Sequence, residues 1–339
     1  MPDQGSNAKP RAGVRAEART SGMTPAEDRL SAAGSTAAET LPRLGFVLLA
    51  ALSLLWGSSW PIMKIALREI PPWTFRTLCL ACGGLGVLTL GKTNGLSLAI
   101  PIRERKSLLL VALLNITGWH LCSAYGVIHM PAGRAVIVAY TMPLFAALMG
   151  SFVLGERLTP TRLVGLGFGT TGLAILIGPD IKALGSAPLG AVFMLGAAVS
   201  WAAGTVAIKY FRWTMPTVLL TGWQLILGGV PVVIGALILE PITALSQVSW
   251  QGALATAYIM VLPMIFCHWA WFKVVDLFPA TVAAIGTLAI PIIGVFSSGL
   301  VLGEPIGFQE FAALVLMVMA LATVMIGFEG VHRWLRRVG

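Results

Sequence analysis

One pattern occurs twice in this chain, and that repetition constrains its fold more than any other feature. Pro143-Leu144-Phe145 through Leu154-Gly155-Glu156 returns as Pro291-Ile292-Ile293 through Leu302-Gly303-Glu304, 148 residues later. At the same offset His120, Pro131-Ala132 and Ala135 meet His268, Pro279-Ala280 and Ala283. Trp56 and Lys64 match Trp201 and Lys209 at an offset of 145, so a three-residue gap falls in the intervening loops. The pattern predicts two copies of one unit.

Composition decides what solvent the units face. With 57% hydrophobic residues, 11% charged residues and a mean hydropathy of +0.85, the chain carries more apolar surface than a water-soluble domain of its length buries. Apolar runs long enough to cross a hydrocarbon layer of about 30 Å fall near 45–67, 73–91, 107–128, 131–154, 160–178, 188–211, 216–238, 249–273, 279–302 and 307–328. They lack the period-two alternation of barrel strands, and their interruptions are turn-like, as at Pro71-Pro72 and Thr159-Pro160. The expected fold is an all-α integral membrane protein with ten transmembrane helices, built from two five-helix repeats at 44–178 and 186–328.

Charge sets the expected orientation. With the amino terminus in the cytoplasm, 18 of the 23 Lys and Arg lie in inward segments, leaving Lys64, Arg68, Arg76, Arg134 and Lys182 outside or near it. The positive-inside rule therefore predicts cytoplasmic termini, and five spans per repeat predict that the second repeat is inserted upside down. The net charge of +9 is topogenic and calls for no nucleic-acid partner. Residues 1–43 are rich in Ala, Ser, Gly, Thr and Arg and read as a disordered cytoplasmic tail. They are too long and polar for a simple cleaved signal peptide, so the first span reads as a retained helix. Residues 329–339 read as a basic cytoplasmic tail. All four cysteines lie in apolar spans, and Cys79-x-x-Cys82, without a second ligand pair nearby, reads as packing rather than a metal or redox site.

Trp56-Gly57-Ser58-Ser59-Trp60-Pro61, Arg76, Ala132-Gly133-Arg134-Ala135, Tyr140-Thr141-Met142-Pro143 and the twin Leu-Gly-Glu motifs, taken in order, resemble the ten-span EamA-type carriers of the drug/metabolite transporter superfamily. The resemblance covers about residues 44 to 328. It implies a secondary transporter of the inner membrane, often an exporter of amino acids, related metabolites or drugs, working by alternating access. The four-span multidrug branch of that superfamily uses a carboxylate within its first helix, and here that helix has none.

Every Asp and Glu associated with the ten spans lies at a span end or in a loop, so no carboxylate waits at the midplane to exchange protons against a cation. The groups able to titrate at depth are the matched pair His120 and His268; each fits either a cavity lining or a neutral histidine bonded to a neighbouring helix. The third span gathers Asn115, Thr117, Trp119, His120, Ser123 and Tyr125. That face lines a substrate path, with Asn115 and His120 bonding substrate and Trp119 as a wall, or it is interhelical glue. Trp60, Tyr140, Gln224 and Trp271 complete the substrate-binding candidates. Glutamine at the depth of Gln224 is costly unless paired, whereas Trp223, Trp269 and Trp271 also suit interface anchors. Arg134 reads as snorkelling to headgroups or as attracting an anion at the outer vestibule. Gly165-x-x-x-Gly169 permits close helix approach within the fold or in a homodimer. Pro143 and Pro291 remove backbone donors inside equivalent spans, which predicts paired hinges.

Two function classes compete. The first is a carrier of a small polar or amphipathic metabolite, with membrane lipid around it and no cofactor or metal. The second is a flippase of a lipid or lipid-linked group, which would share the fold, or a membrane-embedded enzyme; an enzyme would gather nucleophile, acid–base or metal-ligand groups on one face, and the sequence holds no such cluster.

Overall fold

The computed structural model describes residues 43–184, 189–278 and 286–325. The two tails, apart from Arg43, lie outside these residues, as do Pro279, Ala280 and Ala283. Among the described residues every regular element is helical. The elements are α1 (Arg43–Leu67), α2 (Pro72–Thr93), α3 (Ile102–His129), α4 (Ala132–Val153), α5 (Pro160–Leu184), α6 (Leu189–Tyr210), α7 (Thr217–Leu239), α8 (Trp250–Val275), α9 (Ala289–Leu302) and α10 (Phe308–Met325). Eight of them, α1 to α8, are long and apolar enough to span a membrane, while α9 and α10 are apolar but shorter.

Local chemistry explains where these helices begin and end. Pro72 and Pro160 sit in the first turns of α2 and α5, and Pro131 and Pro216 immediately precede α4 and α7; proline has no N–H to leave unsatisfied there, and its φ is already close to helical. The Leu-Gly-Glu motifs are helix stops. Gly155 and Gly303 adopt left-handed φ of 66° and 67°, a conformation that glycine enters without Cβ strain, and the glutamate then leaves the helix axis.

Helix pairing is reciprocal. α2 packs on α7 and α5 on α10; α1 lies against α8 and α9, and α6 against α3 and α4. Close approach depends on small residues: a side chain at Gly84 would strike Ile226, one at Gly222 would strike Leu88, and one at Gly165 would strike Val324 and the Ala320 carbonyl. Gly169 abuts Leu144. The Gly165 and Gly169 pair thus serves close packing against α10 and α4.

Helix ends converge in two clusters, one around Lys64 and one around Lys209. At the Lys64 end, the Glu240 carboxylate accepts from the Trp73 and Thr74 amides at 3.0 and 2.7 Å, and Glu69 accepts from the Ser249 amide and hydroxyl, each at 2.7 Å. At the other end Glu104 accepts from the Thr214 amide at 2.8 Å and from its hydroxyl. Glu240 thus meets the unpaired N–H groups that open α2, where the helix dipole favours negative charge, while Glu104 ties down the loop that precedes α7.

Candidate transport site

Both long polar spans loosen into a π turn before their histidine, at Leu113–Gly118 in α3 and Leu262–Phe266 in α8. A π turn spoils the regular backbone ladder, and in a membrane interior the affected carbonyls must find partners in the protein. They do so reciprocally. Ser200 of α6 donates to the Leu114 carbonyl at 2.7 Å, while Trp56 Nε1 of α1 and His268 Nδ1 both approach the Pro263 carbonyl, at 3.3 and 3.2 Å. Thr117 in turn donates to the Gly228 carbonyl of α7 at 2.6 Å. The bulged segments are therefore held by α1 and α6, the helices that carry the matched tryptophans.

Around these turns the structure brings several sequence candidates together. The Trp56 ring lies 5.9 Å from His268, edge-on, and 6.3 Å from Trp271, so the three rings form one cluster. The matched Trp201 lies 5.2 Å from Trp119, its ring tilted by 58°. His120 is buried and has no partner for its Nδ1. Asn115 and Gln224 are bonded to each other at 3.2 Å, which accounts for glutamine at that depth, and the Asn115 amide oxygen presses on Gly204 of α6. Trp60 is buried beside Met63 in the main core. Tyr140 packs against two core clusters at once.

Tyr140 also marks a break. α4 is helical over Ala132–Ala139, interrupted at Tyr140 and Thr141, and helical again over Met142–Val153, with Pro143 in the first turn of the second piece. On the second copy Leu288 forms a turn before α9, and Pro291 occupies its first turn. Both prolines thus follow a helix interruption, where a missing N–H costs least.

The sequence reading missed one residue. Arg76 was counted as a charge near the outer surface, yet it is 3% exposed, and its guanidinium reaches inward. Nε donates to the His120 carbonyl at 2.9 Å, and Nη2 donates to Ser123 Oγ and Met63 Sδ, each at 2.9 Å. The available signal was an arginine within an apolar run with no acid a helical turn away. Arg134 is a correction of another kind. Its Nε donates to Glu310 at 2.8 Å in a partly buried ion pair, so the charge is matched inside the protein and not by headgroups or an outer anion.

The two Leu-Gly-Glu acids each pair with the lysine of the other half. Glu304 meets Lys64 at 3.4 Å and Glu156 meets Lys209 at 2.8 Å. Glu304 also accepts from the Ala132 and Gly133 amides at 2.8 and 2.9 Å, and Lys64 donates to the Met130 carbonyl at 2.7 Å. Glu156 additionally pairs with Arg162 at 3.0 Å. The hydrogen bond from Lys209, assisted by Arg162, holds the Glu156 carboxyl below its usual range against the opposing effect of desolvation. A cleft of about 100 Å³ opens at the Lys64 end, lined in part by Arg134, Glu304, Ile306 and Glu310. None of the sequence-predicted substrate residues lines it. Cys79, Cys82, Cys122 and Cys267 are free thiols, and among the described residues no cluster of three metal-ligating side chains occurs.

Apolar helices bundled around paired polar turns define a multi-pass membrane protein of the transporter class. The chain belongs to the EamA-like transporter family, which it matches over residues 43–178 and again over 188–326. It is 26% identical over 294 residues to the "Probable amino-acid metabolite efflux pump" of Escherichia coli (strain K12), covering 84% of this chain and 94% of that protein. It is 29% identical over 283 residues to the "Uncharacterized transporter YvbV" of Bacillus subtilis (strain 168), covering 82% and 90%. A solved crystal structure shares the fold with a TM-score of 0.60 at 22% identity, covering 86% of this chain and 97% of that one. These likenesses place the chain among transporters, not enzymes.

Proposed function

We propose that the protein is an inner-membrane secondary transporter that exports amino acids or related small metabolites by alternating access. Its ten spans form two inverted five-helix repeats, and both termini face the cytoplasm. The observation that carries this reading is reciprocity. If residue i of one half touches residue j of the other, a pseudo-twofold axis requires the counterpart of j to touch the counterpart of i. Lys64 with Glu304 and Lys209 with Glu156 meet that requirement. So do Trp56 against the bulged part of α8 and Trp201 against that of α3. With the Lys64 end outward, one crossed ion pair closes each side of the membrane. The efflux-pump name of two relatives supports amino-acid metabolites as the cargo class. Tyr140, Trp119, His120, Trp271 and His268 then surround the path, with Pro143 and Pro291 beside the two helix breaks as hinges.

Counterflow of radiolabelled amino acids in vesicles containing the purified chain tests this reading, with lipid scrambling followed in parallel. Exchange of amino acids without scrambling is the expected result. Scrambling without exchange would assign the fold to lipid handling.

A further inference from the structure

Among the described residues, Arg76 is a buried basic side chain with no carboxylate partner. Six acids have described side chains, and each is engaged elsewhere: Glu69 with Ser249, Glu104 with Thr214, Glu156 with Lys209 and Arg162, Glu240 with the start of α2, Glu304 with Lys64 and the start of α4, and Glu310 with Arg134. Among the described residues, the acceptors around Arg76 are neutral, namely the His120 carbonyl, Ser123 Oγ and Met63 Sδ, with the Phe75 ring 5.4 Å from the guanidinium carbon. Those contacts use Nε and Nη2. The two N–H groups on Nη1 take no part in them. His120, whose carbonyl accepts from Arg76 Nε, also has a buried Nδ1 with no hydrogen-bond partner.

An uncompensated charge in a low-dielectric interior is expensive, and proteins keep one where a ligand supplies the opposite charge. Arginine suits this role better than lysine because its planar fork stays charged and meets a carboxylate in two parallel bonds. The fork here is pre-positioned, since α1 and α3 fix it through Met63, His120 and Ser123, so little ordering is left for the moment of binding. We propose that Arg76 binds the carboxylate of the transported molecule. The cargo is therefore a carboxylate such as a zwitterionic amino acid, and matched amides or amines are rejected. This deepens the transporter reading and rests on it.

The test is competition in counterflow. Vesicles holding the full chain exchange a panel of radiolabelled amino acids, each challenged with its unlabelled self, its carboxamide and its decarboxylated amine. The amino acid should compete at least about tenfold better than either analogue. Arg76→Gln should abolish that preference while leaving the protein monodisperse, and Gly167→Ala, at a position with nothing within 4 Å, should retain it. Because the analogue series is read first on the unaltered chain, the proposal stays testable even if Arg76→Gln misfolds. Equal competition by carboxamides would overturn the carboxylate assignment and leave the transporter reading standing, as would an Arg76→Gln variant that keeps the preference. A chain that exchanges neither acids nor analogues would bring down both.

Discussion

Replacing Glu304 by Gln probes the closure at the Lys64 end. The substitution keeps the side-chain shape and one oxygen for the Ala132 and Gly133 amides, and it removes the charge that faces Lys64 at 3.4 Å. At an effective dielectric of about 20, the direct attraction at that separation is about 5 kcal/mol, most of it offset by the desolvation of both partners. The side chains are only 19% and 15% exposed, so screening is weaker than at an open surface. A net loss of about 2 kcal/mol follows, which corresponds to roughly a 30-fold rise in the population open at that end. Ser298 reports it. Its side chain is fully buried beneath Gly133, with its hydroxyl bonded to the Gly294 carbonyl. After Cys79, Cys82, Cys122 and Cys267 are replaced by Ala, Ser298→Cys should resist an external impermeant maleimide in the parent and react in the Glu304→Gln background. Glu240→Gln weakens a helix cap at the same end without touching a lysine and serves as control. Unchanged labelling with Glu304→Gln, or an equal gain with Glu240→Gln, would refute the latch.

Gly204→Ala should lower the thermal-aggregation midpoint by an amount equivalent to about 1–3 kcal/mol, because its Cβ would strike Asn115 Oδ1 and stand 3.0 Å from the Asn115 backbone nitrogen. Gly167→Ala, with nothing within 4 Å, should leave that midpoint unchanged. Pro143→Ala and Pro291→Ala should each slow counterflow more than they reduce protein level; parental rates in both variants would exclude paired hinges. A topology reporter fused after Arg105 should read cytoplasmic and one fused at Lys182 external, and the opposite pattern would reverse the orientation. Glu156 is held below its usual range by Lys209 and Arg162, so its ion pair is intact above the ordinary carboxylate value and is lost only as pH falls through the depressed one. Glu156→Gln should therefore leave the shape of the transport–pH profile unchanged between about pH 5 and 8.

How much of this was legible in the sequence depends on the distance over which each interaction acts. The Leu-Gly-Glu stop is local, so the motif and its recurrence could be read directly, along with the all-helical membrane class. Its function in the fold was hidden, because Glu304 bonds amides 171 and 172 residues away. Asn115 and Gln224 stood out singly as polar groups in apolar runs, but their pairing spans 109 residues and turned two cavity candidates into a mutual contact. Arg134 misled for the same reason, its partner being 176 residues on. Arg76 was visible as a cation, whereas the lack of a carboxylate around it is a property of the assembled helices. No composition signal announces the π turns.

The two crossed ion pairs bring these strands together, because the same chemistry meets unequal surroundings in one structure. Lys64 and Glu304 are nearly enclosed, and their pair is reinforced by two helix-opening amides and the Met130 carbonyl. At the other end Lys209 is 62% exposed, and Glu156 takes its second partner, Arg162, from six residues along its own chain. Exposed pairs of that kind contribute about 0 to 1 kcal/mol, so the Lys64 closure, with about 2 kcal/mol at stake in Glu304→Gln, outweighs the Lys209 closure by about 1–2 kcal/mol. Under alternating access, this imbalance biases the empty carrier toward the state open at the Lys209 end. Cargo can reverse the bias only through differential binding, and a tenfold preference for the opposite state supplies about 1.4 kcal/mol. A carboxylate settling on Arg76, which is tied to Met63 one residue before Lys64, is placed to act on that closure.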